Sequence, residues 1–191
     1  MSNNIQQQTT INIQEKANLI WAIADKLVGV YKPHEYGNVI LPMCVIKRFE
    51  DTLAPTKQAV LDTNAKLDKD GIVVKKGFLE TAAGQQLYNL SPFTFQSLLN
   101  DPENIKENFE SYLNHFSENV IDIIHRMDFD RELQKMADNN VLYLVIKEFC
   151  TSKAYLGADL VTSVDMGYIF EELVRKFSES YDEQAGARPN S

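Results

Sequence analysis

The sequence predicts a mainly α-helical protein, a multi-helix globular bundle. Three observations carry that. Apolar residues recur three and four positions apart along most of the chain, the spacing of a helix with one buried face. The 191 residues are 44% hydrophobic and 24% charged, enough apolar material for one core. Strand-like text is confined to one short stretch, so one small β-hairpin between residues 70 and 92 is the only sheet the pattern allows.

Residues 1–14 open with polar, Asn- and Gln-rich text and read as a disordered lead. From Ala17 to Val30, Ile20, Ile23, Leu27 and Val30 form a stripe widened by Trp21, Ala24 and Val28, which predicts a helix. Pro33 and Gly37 punctuate the loop that follows. A second helix runs through Leu53 on Val39, Met43, Ile46 and Phe49, with Pro42 in its first turn or at a kink. A third spans about Thr56 to Leu67. Residues 68–93 are the least regular, with a turn at Asp68–Gly71, a β-type run at Ile72–Val74 whose partner is Gln86–Leu90, and one helical turn at Leu79–Ala83.

Asp101-Pro102-Glu103 is a helix start, combining an acid at the cap, proline in the first turn and an acid facing the dipole. Ile105, Phe109, Tyr112, Leu113 and Phe116 follow it at helical spacing. Val120, Ile123, Ile124 and Met127 form the next stripe. Leu133, Met136 and Ala137 start another, broken at Asn139-Asn140. Val141, Leu144, Val145 and Phe149 make a further helix. Met166, Phe170, Leu173, Val174 and Phe177 make the last. The helical domain spans 15–181, and 182–191 reads as a tail or linker.

Most catalytic constellations are missing from the text. The eight glycines include no GxGxxG and no GxxxxGK[ST], so neither a dinucleotide loop nor a P-loop is written here. His34, His115 and His125 form no HExxH, and Cys44 and Cys150 form no CxxC, so no metal or catalytic residue is assigned. The thiols read as reduced and buried, which suits a cytoplasmic protein. No apolar run reaches the roughly 18 residues of a membrane span, so no membrane partner is expected. A net charge of −8 opposes autonomous binding to nucleic acid, although a local basic patch is compatible with it.

Two places could make such a patch. The loop from Tyr31 to Gly37 sets Lys32 and His34 beside Tyr31 and Tyr36, side chains that can meet phosphate and stack on bases, or else pack a helix connection. Lys47 and Arg48, expected on the polar side of the second helix, either face phosphates or are solvated beside Glu50 and Asp51. Lys32, His34, Tyr36, Lys47 and Arg48 are therefore the candidate DNA or partner contacts.

Two long segments carry a resemblance. They are Leu19-Ile20-Trp21-Ala22-Ile23-Ala24-Asp25-Lys26-Leu27, continued by Tyr31-Lys32-Pro33-His34-Glu35-Tyr36-Gly37-Asn38-Val39-Ile40-Leu41-Pro42-Met43 and Ile46-Lys47-Arg48-Phe49, and Asp165-Met166-Gly167-Tyr168-Ile169-Phe170-Glu171-Glu172-Leu173-Val174-Arg175-Lys176-Phe177. In order and spacing they resemble the helical N-terminal domain of the DNA-methylation subunit of bacterial type I restriction-modification systems. The resemblance implies a module for subunit assembly and DNA enclosure. Its implied partners are the specificity subunit, a second methylation subunit, the restriction subunit and DNA. In the parent subunit a following domain binds S-adenosylmethionine and methylates adenine. This chain has no Pro-Pro, hence no Asn-Pro-Pro-Phe loop, and reads Ala187-Arg188-Pro189 where that family has an acid, an aromatic and Thr-Pro-Arg. The chain alone is therefore expected to bind no cofactor and to transfer no methyl group. A stand-alone helical interaction or regulatory protein derived from such a subunit is the competing reading.

Overall fold

The structure is a computed structural model describing residues 2–186, with side chains over 12–180 and at 182. Its helices are α1 (Ser2–Trp21), α2 (Ala24–Leu27), α3 (Gly37–Leu53), α4 (Lys57–Lys69), α5 (Lys76–Ala83), α6 (Phe95–Leu98), α7 (Ile105–Asn114), α8 (Glu118–Arg126), α9 (Phe129–Asp138), α10 (Leu142–Phe149) and α11 (Ser163–Gly186). No strand occurs among the described residues, and the expected mainly helical bundle is what forms.

The long outer helices α1 and α11 lie along each other. Their seam is closed by Trp21, whose ring sits 4.9 Å from that of Phe177 and 6.2 Å from that of Tyr36. Gly37 starts α3 under Phe177; a Cβ there would stand 3.3 Å from the ring, so the small residue permits the close approach. α3 runs through the middle and touches α9 and α11. Behind it, Phe95, Phe109, Tyr112, Phe116 and Phe129 form a chain of aromatic contacts 5.2–6.3 Å apart between centroids. Burial of those rings supplies much of the core's hydrophobic stabilisation.

Several boundaries depart from expectation. The first helix begins at Ser2, so backbone expected to be a lead through residue 14 is helical. The helix expected to run to Val30 stops at Trp21; the chain re-enters as α2 and turns at Gly29, whose φ of +85° is left-handed backbone that glycine adopts without a Cβ penalty. α11 continues to Gly186, and residues 187–191 of the expected tail lie outside the described range.

The expected hairpin between 70 and 92 is replaced. Gln86–Leu90 does not pair with Ile72–Val74. It pairs with the α7–α8 connection instead: Leu90 N–H donates to His115 O at 2.9 Å and Ser117 N–H to Tyr88 O at 2.8 Å, around one bridge between Asn89 and Phe116. The reason is the intervening α5, two turns rather than one. Leu79 and Ala83 on it are buried and α5 packs on α4, which holds the two segments apart.

Candidate functional site

Four charged residues, Lys47, Arg48, Glu50 and Asp51, fall within five positions of α3, and the structure buries three of them and half-buries Arg48. Lys47, Glu50 and Asp51 are 5%, 8% and 8% exposed. Lys47 Nζ donates to Asp51 Oδ2 at 2.5 Å, one helical turn away, and to Ala154 O at 3.4 Å. The same carboxylate oxygen of Asp51 accepts the Leu156 N–H at 2.8 Å. Arg48 donates to Leu156 O at 2.8 Å and also to Val161 O. From α1, Lys16 Nζ donates to Lys153 O at 3.2 Å and Tyr155 O at 2.8 Å. Three cations and one acid thus bind the backbone of residues 153–161, where Ala154, Leu156 and Val161 are buried and their carbonyls need partners. Burial lowers the pKa of Lys16 and of Arg48 from their usual values.

Glu50 faces the other way along the helix. Its Oε2 accepts Tyr112 O–H at 2.9 Å and the Phe95 N–H at 3.1 Å, joining α3 to α7 and to the start of α6. Lys57 closes this pocket. Its Nζ donates to Phe93 O at 2.5 Å and lies 5.2 Å from the Tyr112 ring centroid. Burial raises the Glu50 pKa above its usual value, against the opposing pull of Lys57, Tyr112 and the Phe95 amide. Burial lowers that of Lys57. Tyr112 stays protonated far past its ordinary range, pushed up first by burial and then by Glu50.

The candidates in the Tyr31–Gly37 loop divide in two. Lys32 and His34 are exposed, whereas Tyr36 is 7% exposed and packs against Trp21. Tyr31 is also buried; its hydroxyl donates to Glu132 O at 3.2 Å. α9 brings two cations beside this loop that spacing did not reveal. Lys135 Nζ stands 4.2 Å from the Tyr31 ring centroid and 4.0 Å from Glu35 Oε2, and Arg131, with a side chain 73% exposed, lies beside Glu132. The structure therefore gathers Lys32, His34, Arg131 and Lys135 at one edge and sends Lys47 and Arg48 to another part of the molecule. No sequence signal marks Arg131 or Lys135, because residues about 100 positions apart meet only through packing of α9 on α3.

Small-molecule chemistry finds little footing. Clefts of about 150 Å³, between α1 and α11, and about 230 Å³, beside Arg48 and Phe170, are smaller than the roughly 300 Å³ at which ligand pockets begin, and a larger one of about 410 Å³ along α5, lined by Gly77, Glu80, Thr81 and Gln86, is an open surface depression rather than an enclosed site. Among the described residues no cluster of three His, Cys, Asp or Glu is arranged to hold a metal, and no helix is long and apolar enough to cross a membrane. Burial raises the pKa of both thiols, of Cys150 to about 11, so neither is an activated nucleophile.

These features define a helical scaffold whose charged interior fixes loops. The family model described as the HsdM N-terminal domain matches residues 16–149, and the chain belongs to that family. It thus carries the N-terminal module of a type I restriction-modification methylation subunit. No curated protein and no solved structure matches the chain. The matched region ends at Phe149, so the clamped segment and α11 lie beyond it while completing the same core.

Proposed function

We propose that this chain serves subunit assembly and DNA enclosure in a type I adenine-methylating complex, and that it transfers no methyl group by itself. The family match over residues 16–149 carries this reading. Its partners in that reading are a specificity subunit, a second methylation subunit, the restriction subunit and the DNA they surround. S-adenosylmethionine belongs to a separate methyltransferase domain of the parent subunit. The surface offered to phosphates is the edge of Lys32, His34, Arg131 and Lys135, because Lys47 and Arg48 are engaged inside.

Co-expression with the specificity subunit of the same system tests the assembly role. Co-elution as a complex of defined mass is the expected result, and separate elution contradicts it. Salt dependence of duplex binding by that complex tests the edge. Lys32→Ala/Arg131→Ala should flatten the slope of log K against log salt by about one unit for each phosphate that is no longer neutralised. An unchanged slope removes that edge from the reading.

A further inference from the structure

The connection between α4 and α5 inverts the usual placement of side chains. Val73 and Val74 are 88% and 82% exposed, and Phe78, at the start of α5, is 54% exposed. The inner side of this helix pair is already filled by Val60, Leu67, Leu79 and Ala83, so packing of α4 on α5 does not require them. Their position is nevertheless fixed. Ile72 N–H donates to Leu67 O at 2.9 Å, and Lys75 pairs with Asp68 and donates to Asn64 Oδ1 at 3.0 Å. Among the described residues no backbone group meets the N–H or carbonyl of Val73 or Val74. Three large apolar side chains and two free peptide units are thus offered to solvent on an ordered tip.

The tip also reverses the charge of the protein. Residues 66–76 contain Lys66, Lys69, Lys75 and Lys76 against Asp68 and Asp70, in a chain whose net charge is −8. Lys66 and Lys69 are exposed, and the Lys76 side chain is 79% exposed, its ammonium 3.9 Å from Glu80 Oε1 in a solvent-facing pair that leaves the rim cationic on balance. An apolar centre with a cationic rim has a definite complement.

We propose that this tip docks into an apolar cleft rimmed by carboxylates on another protein subunit of the assembly. The inference rests on the reading of the chain as a module of a multi-subunit complex. Charge complementarity selects the occupant. Duplex DNA would satisfy the lysines but set the valines and Phe78 against phosphate and water. A second copy docking tip to tip would oppose lysine with lysine. Rigid apolar anchors inside a charged rim suit a protein cleft, where the centre is desolvated and the rim sets register and rate.

The test uses the wild-type chain purified in complex with the specificity and restriction subunits of its own system. A benzoylphenylalanine photo-crosslinker in place of Val74 should form an adduct with a partner subunit, at an apolar segment flanked by Asp or Glu. Val73→Asp/Val74→Asp should weaken that subunit's affinity about tenfold or more. Because both valines are exposed, the variant's melting curve should match wild type. Lys69→Glu/Lys76→Glu should weaken the same contact most at low salt. Adducts to DNA or to a second copy of this chain overturn the proposal, as does unchanged affinity in the valine variant. If the wild-type chain fails to assemble at all, the module reading falls and this proposal falls with it.

Discussion

α3 and the α4–α5 tip treat their side chains in opposite ways. On α3 a lysine and two carboxylates are buried and an arginine is drawn inward, each meeting a partner on another element. On the tip two valines and a phenylalanine stand in water while lysines surround them. The difference separates two uses of polarity. Inside, ionic groups supply directional partners to backbone that has none, which fixes the segments around residues 93–95 and 153–161. Outside, exposed apolar groups have little of this chain to pack against and are open to a partner.

Removing one member of the α3 pair should have the largest effect. Lys47→Ala leaves Asp51 buried with its counter-charge gone, and should cost about 3–5 kcal/mol in urea unfolding. An effect no larger than that of a surface lysine would mean the segment around residue 154 needs no such support.

The inner face of α11 ranks next. Met166, Ile169 and Leu173 are buried there while Phe170 is half-buried beside Arg48. Leu173→Ala should therefore cost about 2–5 kcal/mol, and Phe170→Ala about half as much. Equal losses would place the Phe170 ring deeper than its exposure indicates.

A smaller effect concerns Glu50 and has a defined sign. Its pKa is raised in the folded chain, chiefly by burial. A raised carboxyl contributes stability below its unfolded value near 4.5, and that contribution is lost as pH rises through the folded value. Glu50→Gln keeps an acceptor for Tyr112 and Phe95 without the charge. The stability of the variant relative to wild type should accordingly climb as pH goes from about 4 to about 7. A flat or falling difference would show that Lys57 and the hydrogen bonds outweigh desolvation.

The smallest effect belongs to the tip. Val73→Asp/Val74→Asp should change the unfolding free energy of the isolated chain by no more than about 0.5 kcal/mol. A larger loss would make those valines part of this fold rather than of a docking surface.

Much of the helical layout was legible because periodicity reports burial directly. Val39, Met43, Ile46, Phe109, Leu113, Val145 and Leu173 all lie inside as their spacing implied. The stripe overshot where a helix is wrapped on one side only, and Ile123, Leu144 and Val174 are partly or half exposed. The chemistry of α3 was illegible for a physical reason. Lys47, Arg48, Glu50 and Asp51 read as a solvated face because hydropathy cannot show that a loop 105 positions later will lay its carbonyls and amides over that face. Lys32 and His34 kept the exposure expected of them, but Tyr36 joined the core, and the cations that accompany them on α9 come from a distant part of the chain.

Hydrogen exchange on the isolated chain tests the contrast between α3 and the tip most directly. The Leu156 N–H, held by Asp51, and the Phe95 N–H, held by Glu50, should exchange only through the larger openings that also release the core of α3. The Val73 and Val74 amides, which meet no backbone partner among the described residues, should exchange near the rate of an open chain. Leu156 and Phe95 exchanging as fast as Val73 and Val74 would contradict the claim that the buried charges of α3 hold the two segments in place.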